Sequence, residues 1–76
     1  MEIKVMGPGC AKCTETEEIV REAVSAAGIE ATIEKVTDFQ EMAGHGVLST
    51  PAVVIDGAVK CVGRAPTRSE VESWLK

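Results

Sequence analysis

The sequence predicts an α/β fold: a mixed four-stranded sheet with helices on both faces, in the order strand-helix-strand-helix-strand-strand-helix (βαβαββα). Three observations predict it. A short apolar run, Ile3-Lys4-Val5-Met6, leads through Gly7-Pro8-Gly9 into a stretch from Ala11 to Ala27 whose apolar positions recur at helical spacing. Ile29 to Val36 alternates apolar and polar residues. An apolar run, Ala52 to Ile55, and a returning antiparallel segment, Val59 to Val62, flank Asp56-Gly57, a preferred two-residue hairpin turn.

Each element has its own signals. Ile3 and Val5 suit a buried central strand, with Lys4 as its awkward member, and Gly7-Pro8-Gly9 breaks the strand and turns the backbone into the helix. In that helix Val20, Ala23, Val24 and Ala27 form the apolar stripe and Ile19 widens it, while Glu15, Glu17, Glu18 and Glu22 read as a solvated face. Gly28 is placed to end it. Ile29, Ala31 and Ile33 share one side of the next strand and Glu30, Thr32 and Glu34 the other, the pattern of a strand near a sheet edge. Asp38 and Glu41 have capping-box spacing for a short helix carrying Phe39, Met42 and Ala43, which stops at Gly44-His45-Gly46. Ala52 to Ile55, apolar and following Pro51, reads as a buried strand. Thr67 and Glu70 make a second capping box, and Val71, Trp74 and Leu75 line the inner face of the last helix. The first strand-helix-strand unit is expected to be parallel with a right-handed crossover.

The totals narrow the function. The chain has 76 residues, 45% of them hydrophobic and 26% charged, which suits one small domain over residues 1–76 with little idle sequence. Phe39 and Trp74 are its aromatics, so the core must be built from Val, Ile, Leu, Ala and Met. A net charge of −4, with no cluster among eight Lys and Arg, argues against a nucleic-acid partner. The opening Met1-Glu2-Ile3-Lys4 does not read as a secretory leader, and no run approaches a membrane span, so no membrane partner and a cytoplasmic location are expected. Three cysteines, an odd count, do not make a disulfide scaffold.

Cys10 and Cys13 stand at the strand-to-helix junction as Cys-Ala-Lys-Cys. A helix amino terminus offers unpaired N–H groups and the positive end of the dipole, both of which favour a thiolate. Cys10 is therefore expected to have a lowered pKa and to react near neutral pH. Cys13, three residues on, shares its face of the first turn. Such a pair can open and close a disulfide with little backbone motion, so the chemistry expected is thiol–disulfide exchange.

With these residues in place the chain resembles small thioredoxin-like and glutaredoxin-like proteins, especially the minimal archaeal and bacterial redox-active disulfide proteins. The resemblance covers nearly the whole chain. Its specific parts are Gly-x-Gly-Cys-x-x-Cys after the first strand, Ser49-Thr50-Pro51 opening the third, and Gly63 closing the fourth. It implies a thioredoxin-like fold and a protein disulfide oxidoreductase in which Cys10 attacks and Cys13 resolves the mixed disulfide. It implies a cis Thr50–Pro51 bond, with Pro51 against the disulfide and the Thr50 backbone open to an extended substrate strand. It also implies disulfide-bearing protein substrates, a thioredoxin-reductase-like electron donor and no cofactor on the chain itself.

The sequence departs from the family at several points. Ala11-Lys12 replaces the usual Gly-Pro between the cysteines, so the potential does not carry over. Lys12 has two readings, a cation that stabilises the Cys10 thiolate or a solvent-facing lysine of small effect. The tryptophan usual before the first cysteine is replaced by Pro8-Gly9, giving a flatter, less aromatic substrate surface. Lys4 occupies the position of a buried acid that handles the resolving thiol's proton; either water or another group moves that proton, or Lys4 contributes a positive charge. The glycine pair and Asp with which glutaredoxins hold glutathione are missing from Gly63-Arg64-Ala65-Pro66-Thr67, so glutathione is not the favoured substrate, although Arg64 and the last helix's amino terminus could hold a carboxylate.

Cys61 reads as a small buried hydrophobe, with a redox-sensing or glutathione-capped role as the sharper alternative, and Met6 as core packing. Cys10, Cys13, Cys61 and His45 compose a zinc ligand set by residue type, but the fold expected here sets Cys61 apart. The alternative function is a soft-metal (copper or zinc) carrier binding through the two cysteines. Such carriers usually have Met two residues before the first cysteine, where this chain has Pro8, and they end on a strand, whereas this chain ends on a helix.

Overall fold

The computed structural model describes residues 1–9 and 11–75. Its elements follow the expected order: β1 (Glu2–Met6), α1 (Ala11–Ala27), β2 (Thr32–Val36), α2 (Phe39–Gly44), β3 (Ala52–Ile55), β4 (Ala58–Val62) and α3 (Arg68–Trp74). The strands lie in the order β2-β1-β3-β4, with β1 parallel to β2 and antiparallel to β3, and β3 antiparallel to β4. This is the mixed α/β sheet expected of a thioredoxin-like fold.

Strand alternation builds two cores. Ile3 and Val5 of β1, with Val53 and Ile55 of β3, point to the face where Val20 and Ala23 of α1 meet Val71 of α3 and the following Leu75. Met6, Ala52 and Val54 point to the other face and pack with Met42 of α2, Val36 and Val47. All four residues of β3 are buried, which is why its run is unbroken in apolar character. Each such aliphatic side chain adds about 1.5–3 kcal/mol when fully buried.

The 56–57 turn forms as its sequence demands. Asp56 and Gly57 have φ of 49° and 83°, the two positive values that suit a tight turn between twisted strands. Asp56 also ties the hairpin to the start of β1: its carboxylate accepts from Glu2 N and its own N–H donates to the Glu2 carbonyl, both at 2.8 Å. At α3 the Thr67–Glu70 capping box closes in both directions.

Four expectations change in detail. β2 starts at Thr32 rather than Ile29, because its pairing begins at Glu2↔Thr32, and Ile29 and Ala31 instead pack at the edge of the first core. The buried stripe of α1 is Cys13, Thr16, Val20 and Ala23, while Ala27 is exposed; Thr16 tolerates burial because its hydroxyl donates to the Lys12 carbonyl at 2.8 Å. Phe39 is exposed, since a helix as short as α2 offers one inward face and Met42 takes it. Finally, Asp38 caps α2 by accepting from Gln40 N, but Glu41 does not complete a box: its carboxylate lies 3.5 Å from the Lys4 ammonium. Lys4 is largely covered on that face of the sheet and also approaches Glu2, at 3.7 Å, so its charge is met by carboxylates.

Candidate active site

The sheet register assembles the site. Met6 pairs with Ala52, and Ala52 with Val62, so the segments just beyond these residues, Gly7, Pro51 and Gly63, come to the same end of the sheet. Gly7 N donates to the Val36 carbonyl and Gly63 N to the Pro51 carbonyl, each at 2.9 Å. The Thr50–Pro51 bond is cis, as the sequence resemblance implies, and Pro51 is buried while Thr50 is half-buried. Directly after Gly7-Pro8-Gly9 the helix α1 brings Cys13 into its first turn with 1% of its surface exposed.

Gly7 is the hinge of this arrangement. A Cβ built on it would collide with Cys13 Sγ, would lie 3.0 Å from Cys13 Cβ, and would reach Thr50 Cβ at 3.8 Å. Cys13 and Thr50 therefore border the same bare stretch of backbone. Cys10, the expected nucleophile, lies outside the described residues.

Beside this point opens a groove of about 600 Å³. The first turns of α1 supply Lys12, Glu15 and Ile19, the β3 entry supplies Thr50 and Pro51, and the segment from Gly63 to Thr67 forms the facing wall. Lys12 is exposed and its ammonium lies 3.4 Å from the Glu15 carboxylate. Across the groove, Arg64 grips Glu70 with both guanidinium ends at 2.8 and 2.6 Å, and Glu70 also accepts from Thr67 N at 3.1 Å. The Arg64 fork and then the Thr67 N–H hold the Glu70 carboxyl down at about 2, and Glu70 in turn holds Arg64 firmly protonated.

Cys61 sits behind that wall. It is buried in the first core, opposite Val53, and its thiol donates to the Arg64 carbonyl at 3.1 Å. Burial, the leading cause, pushes the Cys61 thiol up, with a smaller opposing pull from Arg64, so the group is held as a neutral thiol. His45 caps the end of α2, on the opposite face of the sheet from Cys61's core, so the fold separates two members of the zinc set.

Of the expected site residues, Lys12, Thr50 and Pro51 share the groove, and Cys13 and Thr50 both border Gly7. Glu15, Ile19, Ala65, Pro66 and Thr67 carry no site signal in the sequence. Their contribution depends on α3 docking against α1, a contact between distant parts of the chain that leaves no local signal. In sequence Gly7 reads as a strand breaker, yet the positive φ in Gly7-Pro8-Gly9 belongs to Gly9, at 96°, so what Gly7 supplies is room.

Comparison with known proteins agrees with this geometry. A family model described as a thioredoxin domain matches residues 1–76. A thioredoxin of Methanothermobacter thermautotrophicus is 35% identical over 75 residues, covering 99% of this chain and 97% of that protein. A thioredoxin of Methanocaldococcus jannaschii is 42% identical over 74 residues, covering 97% of this chain and 85% of that protein. A probable thioredoxin of the former organism is 34% identical over 67 residues, 84% of this chain and 78% of the relative. These likenesses do not favour the soft-metal carrier. With family model, relatives and element order in agreement, the chain belongs to the thioredoxin family and is a thiol–disulfide oxidoreductase.

Proposed function

We propose that residues 1–76 act as one thioredoxin-like domain that reduces disulfides in protein substrates through Cys10-Ala11-Lys12-Cys13. The Cys10 thiolate attacks one substrate sulfur, the substrate S–S bond breaks, and its other sulfur leaves as a thiolate that takes up a proton. Cys13, deprotonated, then attacks Cys10 Sγ in the mixed disulfide. The Cys10–substrate bond breaks, a Cys10–Cys13 disulfide forms, and the second substrate sulfur departs as a thiolate. Two electrons have passed to the substrate, and a thioredoxin-reductase-like donor restores the dithiol.

One observation carries this reading: the groove beside the first turn of α1 is lined jointly by Lys12, Thr50 and Pro51. That juxtaposition suits a substrate segment laid along Thr50 and Pro51 with its disulfide directed to the motif. Lys12 modulates the Cys10 thiolate, an effect limited by its exposure and by Glu15. Among the described residues no helix is long and apolar enough to cross a membrane. A cytoplasmic location is part of this reading, and the odd cysteine count, which suits a reducing compartment, supports it.

Trapping tests the reading. Incubated with a disulfide-bearing protein, Cys13→Ser should accumulate a mixed disulfide through Cys10, seen by mass after alkylation, and Cys10→Ser should accumulate none there. Failure of Cys13→Ser to trap any adduct would contradict the assigned roles.

A further inference from the structure

We infer that Gly7 is a positioning residue for the resolving step: its missing side chain is the space that the Cys13 sulfur occupies. The inference rests on the reading of Cys13 as the resolving thiol.

Several observations lead to it. Gly7 is buried, its backbone N–H is committed to the Val36 carbonyl, and it directly follows the last residue of β1, so it cannot easily retreat from α1. Its φ is not in the left-handed region, so an L-residue meets no backbone penalty there; the requirement is contact. The obstacle to a Cβ is Cys13 itself, first Sγ and then Cβ at 3.0 Å, with Thr50 Cβ behind at an ordinary 3.8 Å. Cys13 is 1% exposed, so its sulfur must turn within the close-packed interior rather than into solvent. A methyl group at position 7 must therefore rotate the sulfur away or push the first turn of α1 outward.

Rotation of the sulfur changes one step selectively. Attack on the substrate uses Cys10 and an incoming disulfide. Resolution needs Cys13 Sγ in line with the Cys10–substrate S–S bond, breaking that bond while the Cys10–Cys13 bond forms and substrate leaves as a thiolate. Misplacement by about 1 Å can cost on the order of 10²-fold in such a step.

The experiment follows single turnover of the reduced protein with a disulfide-bearing protein, by acid quench and mass. It compares Gly7→Ala with wild type, with Gly44→Ala, where a Cβ meets nothing within 4 Å, and with Cys13→Ser. The expected result is mixed disulfide formed at the wild-type rate by Gly7→Ala but decaying about 10²-fold more slowly, with Gly44→Ala unchanged. Decay at the wild-type rate, or an equal loss in formation and decay, would overturn the inference. Trapping by Cys13→Ser separates the two claims: if it traps and Gly7→Ala resolves normally, the role of Gly7 alone fails; if it does not trap, the underlying assignment of Cys13 fails. Should Gly7→Ala fold too poorly for kinetics, the same cause is read from stability. Adding Cys13→Ala should then recover most of the lost urea midpoint, and a deficit of the same size in both backgrounds would overturn the inference.

Discussion

The two buried cysteines of the described chain differ in their surroundings rather than in their exposure. Cys13 lies in the first turn of a helix, bordering Gly7, whereas Cys61 lies in an aliphatic core with its S–H directed to a carbonyl and its ionisation opposed by burial. A thiol held neutral is a poor nucleophile. We therefore expect Cys61→Ala to leave the redox midpoint and the rate of disulfide reduction at wild-type values while lowering stability by roughly 1 kcal/mol, the order for removing one core heavy atom. Urea unfolding and redox titration of the same sample check both halves. The burial of Cys61 was legible from residue type and strand position. Sequence could not read Gly7, because a glycine needed for contact and one needed for a turn look alike until the contacting residue is known. Nor could it tell Phe39 from Met42 on the short helix, since hydrophobic character alone does not say which side of so short a helix is turned inward.

Among the elements, the segment between β4 and α3 shows how local chemistry shapes the groove. Glu70 closes the capping box with Thr67 and also receives the Arg64 fork, so one carboxylate both starts α3 and fastens the groove wall. Its folded pKa, about 2, lies below the ordinary 4.5. Stability from this group is therefore fully present above about pH 4.5 and is lost as pH falls through about 2. Glu70→Gln should be less stable than wild type at pH 6, with the difference shrinking toward pH 2; urea midpoints at stepped pH check this, and a constant difference would count against it. The capping box was visible as Thr67-x-x-Glu70, but the Arg64 grip was not, because Arg64 to Glu70 is not a helical spacing. The Asp38–Glu41 pair has the same spelling and half the outcome, because Lys4 draws Glu41 toward the sheet. A capping box is a local competition that tertiary charge can win.

Across the molecule, the site is a consequence of sheet order. β1 and β3 run antiparallel at the centre, so the end of one and the start of the other meet, and the groove forms where α1, the β3 entry and the Gly63–Thr67 segment converge. The element order, the hairpin and the edge position of β2 were all legible, because each has a period or a turn signal of its own. The groove was not, since it depends on how α3 settles against α1. A protein of this size has total stability of roughly 4–11 kcal/mol, and Ile3 is wholly buried in the central strand. Ile3→Ala, expected to cost about 2–5 kcal/mol, should broaden or abolish the thermal transition at 37 °C or above, whereas Ile3→Val should cost only about 1 kcal/mol. Calorimetry of the two variants checks the ranking. The measurement that bears most directly on the redox role is equilibration of the whole protein across dithiol–disulfide buffers, followed by alkylation and mass mapping. A reversible Cys10–Cys13 bridge with a midpoint between roughly −270 and −120 mV, the span of this chemistry, is the predicted result; a pair that stays unbridged in every buffer, or a bridge that recruits Cys61, would contradict it.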